Sequence, residues 1–186
     1  HWPDAPAPTH DPAAARTLLA EAGLSGLTAR LTLLNKPAYR VAGEVIQAQL
    51  REIGLTIELQ PLDDASYWSS GAGAAGEKLE LFLGRFGGKA DPAFIAQWFL
   101  PAQIGRWNWQ RWNSPDYAKL YDEADAAADE GARATLYIEM QKLMDRSDAV
   151  IPLTHETNLY LSAPRLDPAI LPNGDDVQYA DFGFAA

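Results

Sequence analysis

Residues 71–76 read Gly-Ala-Gly-Ala-Ala-Gly, the letter pattern of a dinucleotide-binding glycine loop, and Asp91 stands twenty residues past the first glycine. In such loops an acid at about that distance holds a ribose hydroxyl. The chemistry asks for more than the letters. A phosphate-binding glycine loop leaves a strand and opens a helix, so that unpaired helical N–H groups face the pyrophosphate. This run does the reverse, leaving a predicted helix and entering a predicted strand at Leu79–Leu83, so a helix-to-strand loop is expected and a nucleotide is not. His1, His10 and His155 are dispersed without the paired spacing of zinc ligands, and there is no cysteine. Neither a metal nor another cofactor is expected. The pairs Asp63–Asp64 and Asp175–Asp176 could share a proton as catalytic dyads do, although adjacent carboxylates in loops are ordinarily just solvated. No serine sits in a nucleophile elbow, so no residue requires the chain to be an enzyme.

The densest chemistry is aromatic. Trp98, Phe99, Trp107, Trp109 and Trp112 fall within fifteen residues, with Arg106 and Arg111 interleaved. Aromatic and arginine side chains together suit single-stranded nucleic acid, but fifteen basic against twenty-five acidic residues give a net charge of −10, which repels phosphate backbones and anionic lipid. Tryptophan also supplies much of the energy of small-ligand and protein surfaces, because one rigid group buries a large area at little entropic cost. Trp98, Phe99 and Trp112 are expected in the core, while Trp107 and Trp109 could serve either the core or a ligand surface.

The elements that must position these residues follow from periodicity. With 186 residues, 47% of them hydrophobic, the chain can bury a substantial core, and no apolar run reaches the ~18 residues of a membrane span. Residues 1–10, rich in Pro and Ala, read as a linker or as a cut within a longer gene, without the basic and apolar regions of a signal peptide. Asp11 and Pro12 open a helix through Ala22, with Ala14, Ala15, Leu18 and Leu19 on one face and Gly23 as its stop. Leu31–Leu34 reads as a strand. A helix from Pro37 follows, with Ala42, Val45, Ile46, Leu50 and Ile53 expected inside, and the alternation of Leu55, Ile57 and Leu59 marks the next strand. Strand, helix and strand in this order close as a right-handed parallel crossover. A short helix at Asp64–Ser70 and the strand Leu79–Leu83 extend it to βαβαβ, so the fold class is α/β. Two more helices follow, the first with Tyr117, Leu120, Tyr121 and Ala124 on one face. The second carries Leu136, Tyr137, Met140, Leu143 and Met144, and the two are expected to form an antiparallel hairpin. Val150–Leu153 and Leu159–Leu161 are strand candidates.

The order of these motifs carries a resemblance. The run from Asp11 to Gly23, Asp-Pro-Ala-Ala-Ala-Arg-Thr-Leu-Leu-Ala-Glu-Ala-Gly, resembles the helix that opens the second lobe in ABC-importer solute-binding proteins of family 5, the dipeptide, oligopeptide and nickel type. Val45 to Leu55, Leu79 to Arg85, the Asp91-Pro92 step, Asn108 to Asp116, Arg133 to Met144 and Ile151-Pro152-Leu153 are similar to that family's motifs in the same order. The resemblance covers residues 9–162. It implies the parallel-sheet lobe of a type II periplasmic binding protein with an added helical hairpin. On that reading 1–10 is a linker, 11–162 the C-terminal ligand-binding lobe, and 163–186 a tail returning toward an N-terminal lobe that precedes His1.

What the family implies is a periplasmic or extracytoplasmic receptor that captures a peptide, opine, sugar or metal chelate without chemistry. Its partners would be the N-terminal lobe and an ABC permease with its ATPase. Parallel sheets bind ligands at the carboxyl ends of their strands. The candidate contacts are therefore Asn35 and Tyr39 after the first strand, Arg85, Phe86 and Lys89 after the third, and Trp107, Asn108 and Trp109 in the aromatic loop. In peptide-binding members an aspartate shortly before the acidic-proline step pairs with the ligand's amino group. Here Gly88 or Lys89 stands there, and Arg85 replaces a usual aromatic. A ligand with an anionic or hydroxyl-rich group and some flat apolar surface is expected, in place of a peptide held by its amino terminus. A ligand-sensing domain of a regulator is the alternative reading, and a small hydrolase a weaker one.

Overall fold

A computed structural model describes residues 2–89, 91–155, 159–170 and 178–184. It divides the chain into two compact units, one of His1–Arg85 with Trp98–Lys119 and one of Phe86–Gln97 with Leu120–Ala186.

The first unit is the parallel-sheet module. Helix α1 spans Pro12–Glu21, and the Asp11 carboxylate accepts from Ala13 and Ala14 N at 3.0 and 2.9 Å, which satisfies two of the N–H groups a helix start leaves over. Its expected apolar face is not buried: Leu18 is 65% exposed. A polar tether acts here instead, in which Arg16 donates twice to Glu52 O, at 3.2 and 3.0 Å.

Strands β1 (Thr28–Leu34), β2 (Thr56–Leu62) and β3 (Leu81–Leu83) form a parallel sheet in the order β2-β1-β3, with Thr28 opposite Thr56 and Leu31 opposite Leu81. Because β1 is central, Leu31, Thr32, Leu33 and Leu34 are all buried, the continuous pattern of a strand covered on both faces. Helix α2 (Pro37–Glu52) is the crossover between β1 and β2, and its Ile46 and Leu50 pack on Leu31, Leu33 and Ile57. Val45, expected inside, is 51% exposed. The helix makes its close approach at Gly43, where an added Cβ would lie 2.7 Å from the Leu33 side chain.

Beyond β2, Asp63 accepts from Ser66 N at 3.0 Å and caps helix α3 (Asp64–Ser70). The glycine run then forms one helical turn, α4 (Gly73–Gly76), before β3. Packing explains its glycines. A Cβ on Gly71 would fall inside the Trp109 indole, and one on Gly76 would overlap Gly71 O.

The second unit holds α5 (Ala93–Ala96), most of α6 (Pro115–Ala126), α7 (Glu130–Ser147) and a two-residue antiparallel ladder, β4 (Leu166–Asp167) with β5 (Gly183–Phe184). Asp129 caps α7 by accepting from Ala132 N at 2.7 Å. Ala124, Tyr137 and Met140 are buried, as their spacing predicts. The strands expected at Val150–Leu153 and Leu159–Leu161 are absent. No described strand edge pairs with them, and a single strand leaves its N–H and C=O groups to water. Most of their apolar side chains stand exposed, Ile151 at 71% and Leu161 at 92%, while Val150 and Tyr160 are half-buried. Asp175 and Asp176 lie outside the described residues.

Candidate functional site

Three chain ends meet at the carboxyl edge of the sheet. Asn35 N donates to Leu62 O at 2.8 Å, which carries the β1–β2 ladder one step past the strands. The Asn35 side-chain oxygen then accepts from Arg40 at 3.2 Å. Next to it, Lys36 Nζ lies 2.8 Å from Asp64 Oδ1, an ion pair between the end of β1 and the first turn of α3. Both partners are about half exposed, so the pair contributes little to stability and chiefly sets the local charge pattern. Ser66 holds the Asp63 carboxyl below the usual carboxylate range by donating its hydroxyl at 2.7 Å.

Under this edge lies an aromatic floor. Tyr67 is buried, donates its hydroxyl to Leu83 O at 2.9 Å and so fixes the end of β3 to α3, and burial raises its phenol pKa far above the ordinary value. Trp109 meets Tyr67 and Phe82 at ring distances of 5.3 and 5.2 Å and donates its indole N–H to Arg106 O at 2.9 Å. Its neighbour Trp68 is 49% exposed yet braced by edge contacts to Tyr67 at 5.2 Å and Trp109 at 5.7 Å.

The predicted contacts therefore divide. Asn35 and Arg85 are exposed at the strand ends, and Tyr39, half-buried, packs against both core clusters of this unit. Trp107 is 52% exposed and stacks on Trp98 with ring centres 6.0 Å apart. Asn108 and Trp109 are corrected: at 0% and 5% exposure they hold the aromatic loop together and offer a ligand no surface here. The Asn108 amide nitrogen donates to Phe99 O, Leu100 O and Trp112 O, and its oxygen accepts from Trp112 N. Phe86 and Lys89 belong to the second unit, Phe86 half-buried and Lys89 exposed. Lys36 and Trp68 are two further exposed side chains of this unit that the sequence reasoning did not name. Trp68 was accessible in principle, because a seven-residue helix that buries Tyr67 turns the next residue outward.

An open cleft of about 390 Å3 lies elsewhere in the first unit, lined among others by Arg30, Thr32, Gln60, Ser70, Lys78 and Glu80. No predicted contact lines it, and its Arg30 and Glu80 pair with each other at 3.5 Å.

In the second unit, Asp91 is held by Arg133, whose Nη2 donates to both carboxylate oxygens at 2.8 and 3.0 Å, and it also accepts from Ala93 N at 2.8 Å. The hydrogen bond from Arg133 draws the Asp91 carboxyl below its ordinary value of 3.8. A lowered folded-state pKa means that the pair contributes fully above the ordinary carboxylate range and is lost as pH falls through the lowered value. Titration followed by 13C NMR is expected to place the Asp91 carboxyl midpoint below 3.8 and to raise it in Arg133→Gln, where the Ala93 N–H bond still holds it down in part. An unshifted midpoint in the parent chain would show that the pair does not persist in solution. Among the described residues, no helix is long and apolar enough to cross a membrane and no cluster of His, Asp and Glu could hold a metal ion.

The chain can now be set beside known proteins. Residues 1–106 match the family model described as bacterial extracellular solute-binding proteins, family 5 Middle. A Pseudomonas aeruginosa protein named "Probable di/tripeptide-binding protein 5" is 32% identical over 167 residues, 86% of this chain and 31% of that protein. Among solved structures, the clavulanic acid biosynthesis oligopeptide binding protein 2 superposes with a TM-score of 0.81 at 24% identity, over 93% of this chain and 33% of that one. A dipeptide-binding protein from Pseudoalteromonas in complex with Met-Leu gives 0.77 at 21% identity, over 96% and 36%. Those two likenesses show the fold. The chain spans about a third of the length of these relatives. With more than half of its residues matched by the family model and the parallel βαβαβ order in place, the chain belongs to the bacterial extracellular solute-binding proteins of family 5.

Proposed function

We propose that this chain is the C-terminal ligand-binding part of an extracytoplasmic receptor that captures a small solute with an anionic end and passes it to an ABC permease with its ATPase. Residues 11–162 would be the binding lobe and 163–186 the segment returning toward an N-terminal lobe. No step of bond making is assigned to it. The observation that carries the reading is the carboxyl edge of the sheet, where Asn35, Lys36 and Arg85 follow directly on the ends of β1 and β3. Tyr39, Phe86, Lys89 and Trp107 remain candidate contacts, joined by Lys36 and Trp68. Short peptides, opines, polyhydroxy compounds and metal chelates fit this chemistry to different degrees, and the relatives named for di- and tripeptides put short peptides first. The loop 84–89 contributes Arg85 and Lys89 and no acid, while the next carboxylate, Asp91, is already committed to Arg133. A cation here suits a ligand carboxylate, which an arginine holds through two parallel hydrogen bonds.

The test is a titration of the full-length receptor with Met-Leu, its C-terminal amide and its N-acetyl form, beside opines, oligosaccharides and nickel chelates. Blocking the carboxylate, or making Arg85→Ala, is expected to weaken binding by roughly ten- to a hundredfold, the worth of a charge-assisted hydrogen bond. If only the free amino terminus mattered and Arg85→Ala left the affinity unchanged, the reading of the ligand's anionic end would be wrong.

A further inference from the structure

We infer that the open cleft of about 390 Å3 in the first unit is a second ligand site, separate from the carboxyl edge of the sheet, which takes a small carboxylate bearing hydroxyl groups. All of its lining residues belong to that one unit.

The cleft exists because the two faces of the sheet are covered differently. On one face Leu31, Leu33 and Ile57 pack with Ile46 and Leu50 of α2. The alternate residues of β1 and β2 belong to the other face, whose character changes along the strands. At the carboxyl end Leu34 and Leu62 pack with Tyr67 and Trp109. Two residues earlier Thr32 stands opposite Gln60 in the β1–β2 register, and polar side chains replace apolar ones. The aromatic cover stops there. The segment of α3 and α4 then meets the sheet across an opening, which Ser70 and the short side chains of Ala74 and Ala75 line from that side. A cleft of this volume is in the range that holds small ligands.

Its polar groups are ordered and in part uncommitted. Thr32 is buried, and its hydroxyl donates to Gln60 Oε1 at 3.1 Å. That bond fixes which end of the half-buried Gln60 amide is left over: Nε2 has two N–H groups and no hydrogen bond among the described residues. Ser70 donates its proton to Tyr67 O at 2.7 Å and keeps its lone pairs for a donor. An N–H donor beside a hydroxyl acceptor is the pair that a polyhydroxy ligand satisfies. Charge divides in the same way. Glu80 accepts from Arg30 N at 2.6 Å and lies 3.5 Å from the Arg30 guanidinium, and Glu58 stands opposite Arg30 in the register, so the acids at this end of the sheet already face a cation. Lys78, exposed at the cleft, forms no ion pair among the described residues. An ammonium left over beside an amide donor favours an anion, the less common preference in a chain of net charge −10. Leu62 and Leu79, which also pack against the aromatic cluster, offer the carbon side of such a ligand an apolar surface.

The experiment uses the full-length receptor and D-gluconate as the probe, with glucose and acetate as its two halves, read by saturation-transfer NMR. Gluconate is expected to bind in roughly the millimolar range, since the cleft is open to water, and each half roughly tenfold more weakly. Lys78→Gln is expected to weaken gluconate roughly fivefold, the effect of a solvent-exposed ion pair. Gln60→Glu keeps the acceptor for Thr32 but sets a carboxylate where the amide N–H groups were, and should weaken it roughly tenfold or more. Saturating Met-Leu is expected to leave the gluconate signal in place. No saturable gluconate binding, an affinity unchanged in both variants, or displacement by Met-Leu would each overturn the second site. Lys78→Gln alters an exposed side chain, so it reads the site even where Gln60→Glu fails to fold.

Discussion

Trp109→Ala is expected to lower the unfolding free energy of this chain by about 3–5 kcal/mol, the range for deleting a fully packed large aromatic. The indole is buried, lies against Tyr67, Trp68 and Phe82, and occupies the space that Gly71 leaves by having no Cβ. Removing it opens a void that cannot collapse easily, because α3 is capped by Asp63 and Tyr67 is tied to β3. The indole N–H bond to Arg106 O is lost as well. Urea unfolding followed by circular dichroism measures the loss, and Trp107→Ala is the control. Trp107 is half exposed and braced by Trp98, so its removal should cost about 1–2 kcal/mol. Equal losses for the two tryptophans would refute the division between a structural Trp109 and a surface Trp107. Gly71→Ala should reproduce much of the Trp109→Ala loss, since the added methyl and the indole compete for one volume.

That contact also shows where sequence reading reaches its limit. The helix start at Asp11 was legible because capping is local chemistry between a side chain and the next two or three N–H groups, whereas Asp63 and Asp129, which cap α3 and α7 by the same chemistry, were not read as caps. The parallel order was legible because a strand, a helix and a strand in succession have one favoured closure. The glycines at 71 and 76 answer to a tryptophan far along the chain and to each other's backbone, so their letter pattern suggests a phosphate loop that the packing does not build. Val45 failed for a related reason. A helix face is known from its spacing only to within one residue's rotation, and the small side chain that sets the real approach, Gly43, carries no hydrophobic signal. At Val150–Leu153 and Leu159–Leu161 the short apolar runs are real, but a strand exists only with a partner edge, and no described strand offers them one. Of the candidate contacts, the exposed places of Asn35 and Arg85 followed from the ends of parallel strands, and Lys36 beside Asn35 could have been read the same way; that of Trp68 depends on how α3 is rotated, and Asn108 resembles a loop polar group but makes four hydrogen bonds.

Those four bonds make Asn108 the position where a small change should do most harm. Its two amide protons are shared among the carbonyls of Phe99, Leu100 and Trp112, and its oxygen takes the Trp112 N–H, all without exposure to water. Asn108→Ala strands four backbone groups at once, and a loss of about 3–5 kcal/mol is expected even if water reaches some of them. Asn108→Asp keeps the shape and reverses the chemistry, because an ionised carboxylate would face three carbonyl oxygens in a site that excludes solvent. Both burial and the carbonyls disfavour the charged form, so the introduced carboxyl should titrate above the ordinary value of about 3.9. A raised folded-state pKa means the penalty is smallest below that ordinary value, where the protonated group can still donate to one carbonyl. The penalty then grows as pH rises to the raised folded-state value and levels off above it. The stability gap between parent and Asn108→Asp is therefore expected to widen between pH 4 and pH 8 in urea titrations, while the gap for Asn108→Ala stays level. A flat gap for the aspartate variant would mean that water enters this loop freely, and the amide would then hold the aromatic segment far less firmly than its geometry implies.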